Sequence, residues 1–384
     1  MKSVDVIVLG TGGIGSAALW HLAKRGVNVL GIDRFKCPHD KGSTHGQTRL
    51  IRMAYYEHPD YVPLLKRGYE LWRRLESETG TKLFHQCGIL QVSPGEGRVY
   101  PGVLESARVH NLKVEALAAD EVQTRFPGFR VREPLKAVFE PGAGYLKVDE
   151  CVSAFIETAQ QAGAKIQSGE SVISWRPSSK GVEVTTDRGS YSAGHLIISA
   201  GSWANDFLAD LGIRFEVVRK SLYWYEPKSG IYREGDGGVG FIFETALGNY
   251  YGFPQIDENG VKLAEHTGGW PVVDALTINR DEDPQETDRI RSFLRQFLPE
   301  VTSTRKKFAT CLYTLSPDRR FVVDRHPEFP QVSFVAGLSG HGYKFAAILG
   351  EVLADWATSG GTELPVQFLR SNRPELKGKY STQQ

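Results

Sequence analysis

The chain has 384 residues, of which 24% are charged and 41% hydrophobic, and its formal net charge is +1. That length favours two structural domains over one, and the near-neutral balance gives no electrostatic footprint for nucleic acid or an anionic membrane. No apolar run approaches the ~20 residues needed to span a bilayer. The four cysteines, Cys37, Cys87, Cys151 and Cys311, are far apart and without CxxC spacing, so neither a metal nor a disulfide framework is expected. The first strand starts almost at residue 1, which leaves no room for a cleaved signal, so a cytoplasmic protein is expected.

The first predicted element is an apolar strand, Val6-Ile7-Val8-Leu9, running into Gly10-Thr11-Gly12-Gly13-Ile14-Gly15. Gly10 permits the tight turn, Gly12 lets backbone approach a diphosphate, and Gly15 allows helix and strand to pack closely. A helix is predicted over residues 16–25, stopped by Gly26, and a strand over residues 27–33 ends in Asp33. An acid there accepts hydrogen bonds from both ribose hydroxyls of an adenosine and repels a 2′-phosphate, which argues against NADP. Strand, glycine turn, helix and acidic strand end agree on an adenine dinucleotide, and they do not separate FAD from NAD.

The pattern next predicts a long amphipathic helix over residues 61–78, with Leu64, Leu65, Gly68, Leu71, Trp72 and Leu75 on one side and Gly80 ending it. Residues 85–141 carry a mixed pattern. A second α/β block follows, with a helix over 148–162 and strands over 165–167 and 194–200, while residues 172–175 and 182–186 alternate with period two and read as a β meander. Residues 215–275, rich in aromatic and β-branched residues, read as a second sheet, and 287–298 as a helix. Near the end, Phe334-Val335-Ala336 leads into a second glycine-rich turn, Gly337-Leu338-Ser339-Gly340-His341-Gly342-Tyr343-Lys344, and a last helix over 346–356. This turn would bring another helix N-terminus and its free N–H groups to a ligand. The fold class is α/β (α+β overall): a Rossmann-like dinucleotide-binding domain with an inserted, mainly antiparallel-sheet substrate domain. The predicted cofactor domain is discontinuous, 1–84, 142–216 and 306–384, and the substrate domain is 85–141 and 217–305.

Four separated strings carry a family resemblance. Ser43-Thr44-His45-Gly46-Gln47-Thr48-Arg49-Leu50-Ile51-Arg52, Tyr250-Tyr251-Gly252-Phe253-Pro254 with Lys262 and His266, Cys311-Leu312-Tyr313-Thr314, and Ser339-Gly340-His341-Gly342-Tyr343-Lys344-Phe345 occur in this order. Together they resemble the FAD-dependent amine oxidases of the D-amino-acid-oxidase type, within them the monomeric sarcosine oxidase and N-methyltryptophan oxidase family. The resemblance implies FAD held by Gly10, Gly12, Gly13, Ile14, Gly15, Asp33, Arg34, Ser43, Thr44, Arg49, Val172, Gly340, His341, Gly342, Tyr343 and Lys344, and attached covalently through Cys311. It also implies a monomer acting on a small N-alkyl amino acid, with oxygen as the second substrate. Arg52 and Lys344 would bind the substrate carboxylate, Tyr251 and His266 the amine, while Arg49 would lie over the flavin ring and Lys262 would promote oxygen reduction.

The residue types suit these roles. Guanidinium is always charged and grips a carboxylate with two parallel bonds. On a helical turn Arg49 and Arg52, three apart, would share a face. On a strand, so would Lys262 and His266, four apart. Arg305-Lys306-Lys307 and Tyr313 would surround Cys311 with positive charge and donors that favour thiolate. Three rival readings are an NAD-dependent dehydrogenase, an oxidase of N-methyltryptophan or of a cyclic imino acid such as pipecolate, and a non-catalytic dinucleotide sensor. Cys311 and the second glycine turn speak against the first, and the joint presence of Arg52, Tyr251, Lys262 and His266 against the third. Pocket size decides the second.

Overall fold

Period-two apolar residues followed by a helical run produce a strand–helix–strand unit, Lys2–Leu9, Gly13–Lys24 and Val29–Asp33, whose strands pair in parallel. A computed structural model describes residues 2–377. The unit lies within an eight-stranded sheet. Gly189–Ile198 pairs in parallel with Lys2–Leu9, and Lys165–Ser168 with Val29–Asp33. Val172–Ser178, Gly181–Thr186 and Gly189–Ile198 form the antiparallel meander. Val332–Ala336 joins the far part of Gly189–Ile198 and brings Val322–Arg325 with it. The sheet thus draws strands from the beginning, middle and end of the chain.

Helices Gly13–Lys24, Val62–Thr79, Val148–Gln161 and Ala346–Ser359 pack together in one hydrophobic core. The apolar stripe of Val62–Thr79 puts Leu64, Leu65, Leu71 and Leu75 fully inside, and each such side chain contributes about 1.5–3 kcal/mol by leaving water. Gly80, at φ +68°, ends the helix. The first helix begins earlier than the pattern predicted, at Gly13, because its glycines serve close packing as well as the turn. At the crossing with Ala346–Ser359, a Cβ on Gly350 would lie 2.7 Å from the Ala17 Cβ.

A second sheet of nine strands runs Trp270–Pro271, Glu216–Pro227, Val261–Glu265, Gly248–Gly252, Gly240–Thr245, Ile89–Pro94, Leu135–Glu140, Glu115–Leu117, with Val301–Leu315 on the other edge of Glu216–Pro227. Every pair is antiparallel except Gly240–Thr245 with Ile89–Pro94. Helix Pro284–Phe297 covers one face, with Phe293 stacked on Tyr250 at 4.1 Å. Its N-cap Asp283 accepts the Gln285 and Glu286 N–H groups. A three-stranded sheet, Thr48–Ile51, Gly144–Lys147 and Phe84–His85, completes the strands.

The structure departs from the sequence pattern in three places. Val99–His110 and Ala119–Arg125 are helices inside the mixed stretch. The first carries Pro101 and Gly102 near its start, which hides its propensity, and Gly102 is needed because a Cβ there would lie 2.6 Å from the Tyr56 carbonyl oxygen. The boundary drawn between 305 and 306 falls inside the single strand Val301–Leu315, and the one between 84 and 85 inside Phe84–His85. Arg49 lies in strand Thr48–Ile51, not on a helical turn, and Arg52 follows it.

Candidate active site

The turn after the first strand opens onto a cavity lined by Gly10, Gly12, Gly13 and Ile14. A Cβ on Gly15 would fall 1.8 Å from the Gly10 carbonyl oxygen, so Gly15 serves packing and lies outside the lining. Gly12 differs. A Cβ there meets nothing nearer than Thr44 Oγ1 at 3.8 Å, since the space beside it is cavity. Gly12 caps helix Gly13–Lys24, whose first-turn N–H groups have no intrahelical partner. Thr44 Oγ1 accepts the Gly13 N–H at 3.3 Å.

Asp33 faces the same cavity. Its Oδ2 accepts the Thr11 N–H at 2.6 Å and its Oδ1 the Phe35 N–H at 2.9 Å, which fixes the carboxylate. Arg34 lies over the Trp203 ring at 5.5 Å, and Val172 and the buried Glu170 extend the wall. The second glycine turn, Gly340 to Lys344, also lines the cavity. Ser339 N–H bonds the Thr314 carbonyl at 2.9 Å, which places this turn against the end of Val301–Leu315. A Cβ on Gly340, at φ +81°, would lie 2.3 Å from the Tyr313 ring. His341 Nδ1 is 2.6 Å from the Tyr55 hydroxyl, and the Tyr343 hydroxyl donates to the Val148 carbonyl at 3.0 Å. A glycine cradle at a helix start, an acid at the strand end and a second backbone turn fit a dinucleotide.

Cys311 and Lys262 lie behind this wall. Cys311 is 1% exposed, with its sulfur 3.3 Å from Arg49 Nη2 and 3.4 Å from the Ser43 carbonyl oxygen. The same guanidinium donates to the Ser43 and Thr48 carbonyls. The cation at the sulfur is therefore Arg49, not the Arg305-Lys306-Lys307 run. Val301–Leu315 is exposed over residues 303–307 and buried over 310–314, and Arg305 and Lys306 pair with Glu282 and Glu226. Lys262 is 2% exposed and donates to the Gly46 carbonyl, the Thr48 carbonyl and Thr48 Oγ1. Burial, then Arg49, pushes its pKa well below the ordinary lysine value. The strand that holds it ends at Glu265, so the alternation argument stops short of His266. Lys262 reaches the 46–48 turn, and His266 reaches the cavity.

Arg52, Lys344, Tyr251 and His266 all line the cavity. Arg52 is 2% exposed and lies over the rings of Tyr55 and Tyr56 at 4.2 and 4.4 Å. Its Nη2 donates to both Glu57 oxygens at 2.8 Å. Burial opposes ionisation of Glu57, yet Arg52 holds its carboxyl at about 2. Lys344 donates to the His341 carbonyl at 2.6 Å, and burial followed by the Arg52 charge lowers its pKa to about 7. The Tyr251 hydroxyl is 3.2 Å from that of Tyr313. Burial, then Lys220, lowers His266 to about 3, so its ring is neutral.

Sequence reasoning missed Glu57, Glu170, Tyr313 and Asn249 as lining residues. A strand signal could have found one of them, since Asn249 is two residues before Tyr251 and shares its face. Nothing in the spacing marks Glu57.

Fold and site together define a flavoenzyme: the chain matches the FAD dependent oxidoreductase family over residues 5–356 and belongs to it. It is 40% identical over 378 residues to monomeric sarcosine oxidase of Bacillus sp. (strain B-0618), covering 97% of each chain. It is 38% identical over 355 residues to N-methyl-L-tryptophan oxidase of Yersinia pestis (strain Pestoides F), covering 92% of this chain and 94% of that one. The structure of NikD, an amino acid oxidase of nikkomycin biosynthesis, matches with a TM-score of 0.85 at 26% identity, covering 96% of this chain and 98% of that one.

Proposed function

We propose that the protein is an FAD-dependent oxidase of secondary amino acids, with sarcosine as the first substrate to test. The observation that carries this reading is a buried cationic pair, Arg52 and Lys344, opening into the cavity that also holds neutral His266, Tyr251 and the dinucleotide turn. A buried guanidinium beside a lysine that a bound anion would hold charged suits a carboxylate, because a buried charge without a partner is costly. Glu57 supplies that anion in this structure, so an incoming carboxylate competes with it for the guanidinium. Neutral His266 and the Tyr251 hydroxyl hold the amine nitrogen uncharged, leaving its lone pair free. FAD, held by the glycine turns and Asp33, would supply a two-electron acceptor for the C–H bond next to nitrogen, with oxygen as the final acceptor and hydrogen peroxide as its product. Water hydrolyses the resulting imine, so sarcosine gives glycine and formaldehyde. Arg49 provides fixed positive charge beside Ser43 and Cys311, and Lys262, with three acceptors around its nitrogen, is assigned to the oxygen half-reaction.

The test is peroxide formation with sarcosine, N-methyltryptophan, pipecolate, proline and dimethylamine. Substrates with a carboxylate should turn over and dimethylamine should not. Arg52→Ala should raise KM more than tenfold, since a hydrogen bond to a charged group contributes about 1.5–3 kcal/mol. Equal turnover of dimethylamine and sarcosine would remove the carboxylate clamp from this reading.

We also assign to Cys311 a thioether to the flavin 8α carbon. Forming it releases the S–H hydrogen, one C–H hydrogen and two electrons, which oxygen accepts. The Arg49 guanidinium stands 3.3 Å from this sulfur. Acid-precipitated wild-type protein should stay yellow, and Cys311→Ala should release its flavin to the supernatant. Flavin retained in the Cys311→Ala pellet would place the bond elsewhere.

A further inference from the structure

Lys220 is a cation that this mechanism leaves unused. It stands in strand Glu216–Pro227 opposite Cys311 and is 3% exposed. Its Nζ donates to the Thr267 carbonyl and, at 3.1 Å, to the Gly268 carbonyl. These carbonyls converge because Gly268 and Gly269 both take positive φ, +66° and +105°. A Cβ on Gly269 would lie 2.9 Å from the Lys220 Cδ, so glycine and lysine are fitted to each other. The turn so held is the one that carries His266. It is also tied by the His266 N–H to the Asn249 carbonyl at 2.6 Å, the Asn249 N–H to Thr267 Oγ1 at 3.1 Å and the Thr267 hydroxyl to Glu265 Oε1 at 3.2 Å.

The same ammonium lies over the Tyr313 ring at 5.5 Å. Tyr313 borders the cavity, with its ring 5.6 Å from that of His266 and its hydroxyl 3.2 Å from that of Tyr251. One side chain therefore braces two walls that meet at the amine end of the site. Behind it, a small space is lined by Glu265 and Glu286, whose charges partly offset its burial.

We propose that Lys220 is a positioning residue for the substrate amine, acting through the main chain of the His266 turn and the ring of Tyr313. This role rests on the oxidase reading above. An uncharged side chain with two N–H donors should do much of the same work, and one without donors should not.

The test compares Lys220→Met and Lys220→Gln in the flavin-loaded enzyme. Acetate is the control ligand, because it engages the carboxylate clamp and not the amine partners. In Lys220→Met, kcat/KM for sarcosine, or for the best substrate of the panel, should fall at least tenfold. The acetate inhibition constant and flavin content should stay within twofold of wild type, and Lys220→Gln should recover kcat/KM to within threefold. A Met variant equal to wild type, acetate binding lost in parallel with turnover, or a Gln variant no better than Met would each overturn the role. Should Lys220→Met give no folded protein, Lys220→Ala takes its place in the comparison with Gln. A wild-type enzyme that oxidises none of the panel sinks the oxidase reading itself, whereas normal wild-type turnover with an unaffected variant sinks only Lys220.

Discussion

At the residue scale, Lys344 shows how burial sets the charge of a group that lines the cavity. With its nitrogen on the His341 carbonyl and in the field of Arg52, its pKa falls to about 7 in the free protein. A bound carboxylate favours the ammonium form and raises that pKa, so binding above pH 7 takes up a proton. The acetate inhibition constant should be flat below pH 7 and weaken above it by up to tenfold per pH unit. Lys344→Met should flatten the profile, and an unchanged slope in that variant would place the titration on another group. The stability term has its own sign. The unfolded chain binds more protons between about 7 and the ordinary lysine pKa of 10.5, so this group's contribution rises with pH across that window. The types and family positions of Arg52 and Lys344 were legible in the sequence. Glu57, which occupies the guanidinium, was not, because it meets Arg52 only through a local bend after the Thr48–Ile51 strand.

At the scale of elements, the glycines of the first turn divide by role. Gly15→Ala would force a Cβ to 1.8 Å from a carbonyl oxygen, and the strand and helix of the cofactor unit would have to separate. Gly12→Ala meets only open cavity, and its φ of −66° lies outside the left-handed region. The expected outcome is that Gly12→Ala folds with a melting temperature near that of wild-type apoprotein but incorporates little FAD. Gly15→Ala should yield little folded protein. Both are read from thermal melts and the ratio of flavin to protein absorbance. Full flavin incorporation in Gly12→Ala would mean that the diphosphate does not approach this backbone. The helices followed from periodicity where the stripe is long, as in Val62–Thr79. The pattern failed at Val99–His110, whose Gly102 obeys packing against Tyr56 rather than propensity.

At the scale of the whole molecule, Glu140 ties the two sheets' territories together. It ends the Leu135–Glu140 strand of the nine-stranded sheet and accepts the N–H groups of Met53 and Ala54, at 2.6 and 3.2 Å, beside Arg52. Burial raises its pKa to about 7 against these favourable contacts. Between the ordinary value of 4.5 and about 7 the folded protein binds more protons than the unfolded chain, so stability from this group is full below 4.5 and lost as pH rises through 7. The melting temperature of wild type, relative to Glu140→Gln, should therefore increase as the pH is lowered from about 7 toward 4.5, the window between the folded and ordinary values. A constant difference would show that Glu140 is ionised throughout. The long Val301–Leu315 strand links the same territories, running beside Glu216–Pro227 and ending against the second glycine turn.

What the sequence determined by itself was local chemistry: the dinucleotide turn, the acidic strand end, the apolar stripes and the residue types that line the cavity. These depend on neighbours a few residues apart, where backbone geometry is set by glycine, periodicity and caps. Tertiary structure decided everything that joins distant segments. It placed Arg49 rather than Arg305 or Lys307 at the Cys311 sulfur, set Lys262 on the 46–48 turn while His266 reached the cavity, and paired Arg52 with Glu57. Coulomb and hydrogen-bond energies depend on distance in space and on burial, and the fold alone supplies both.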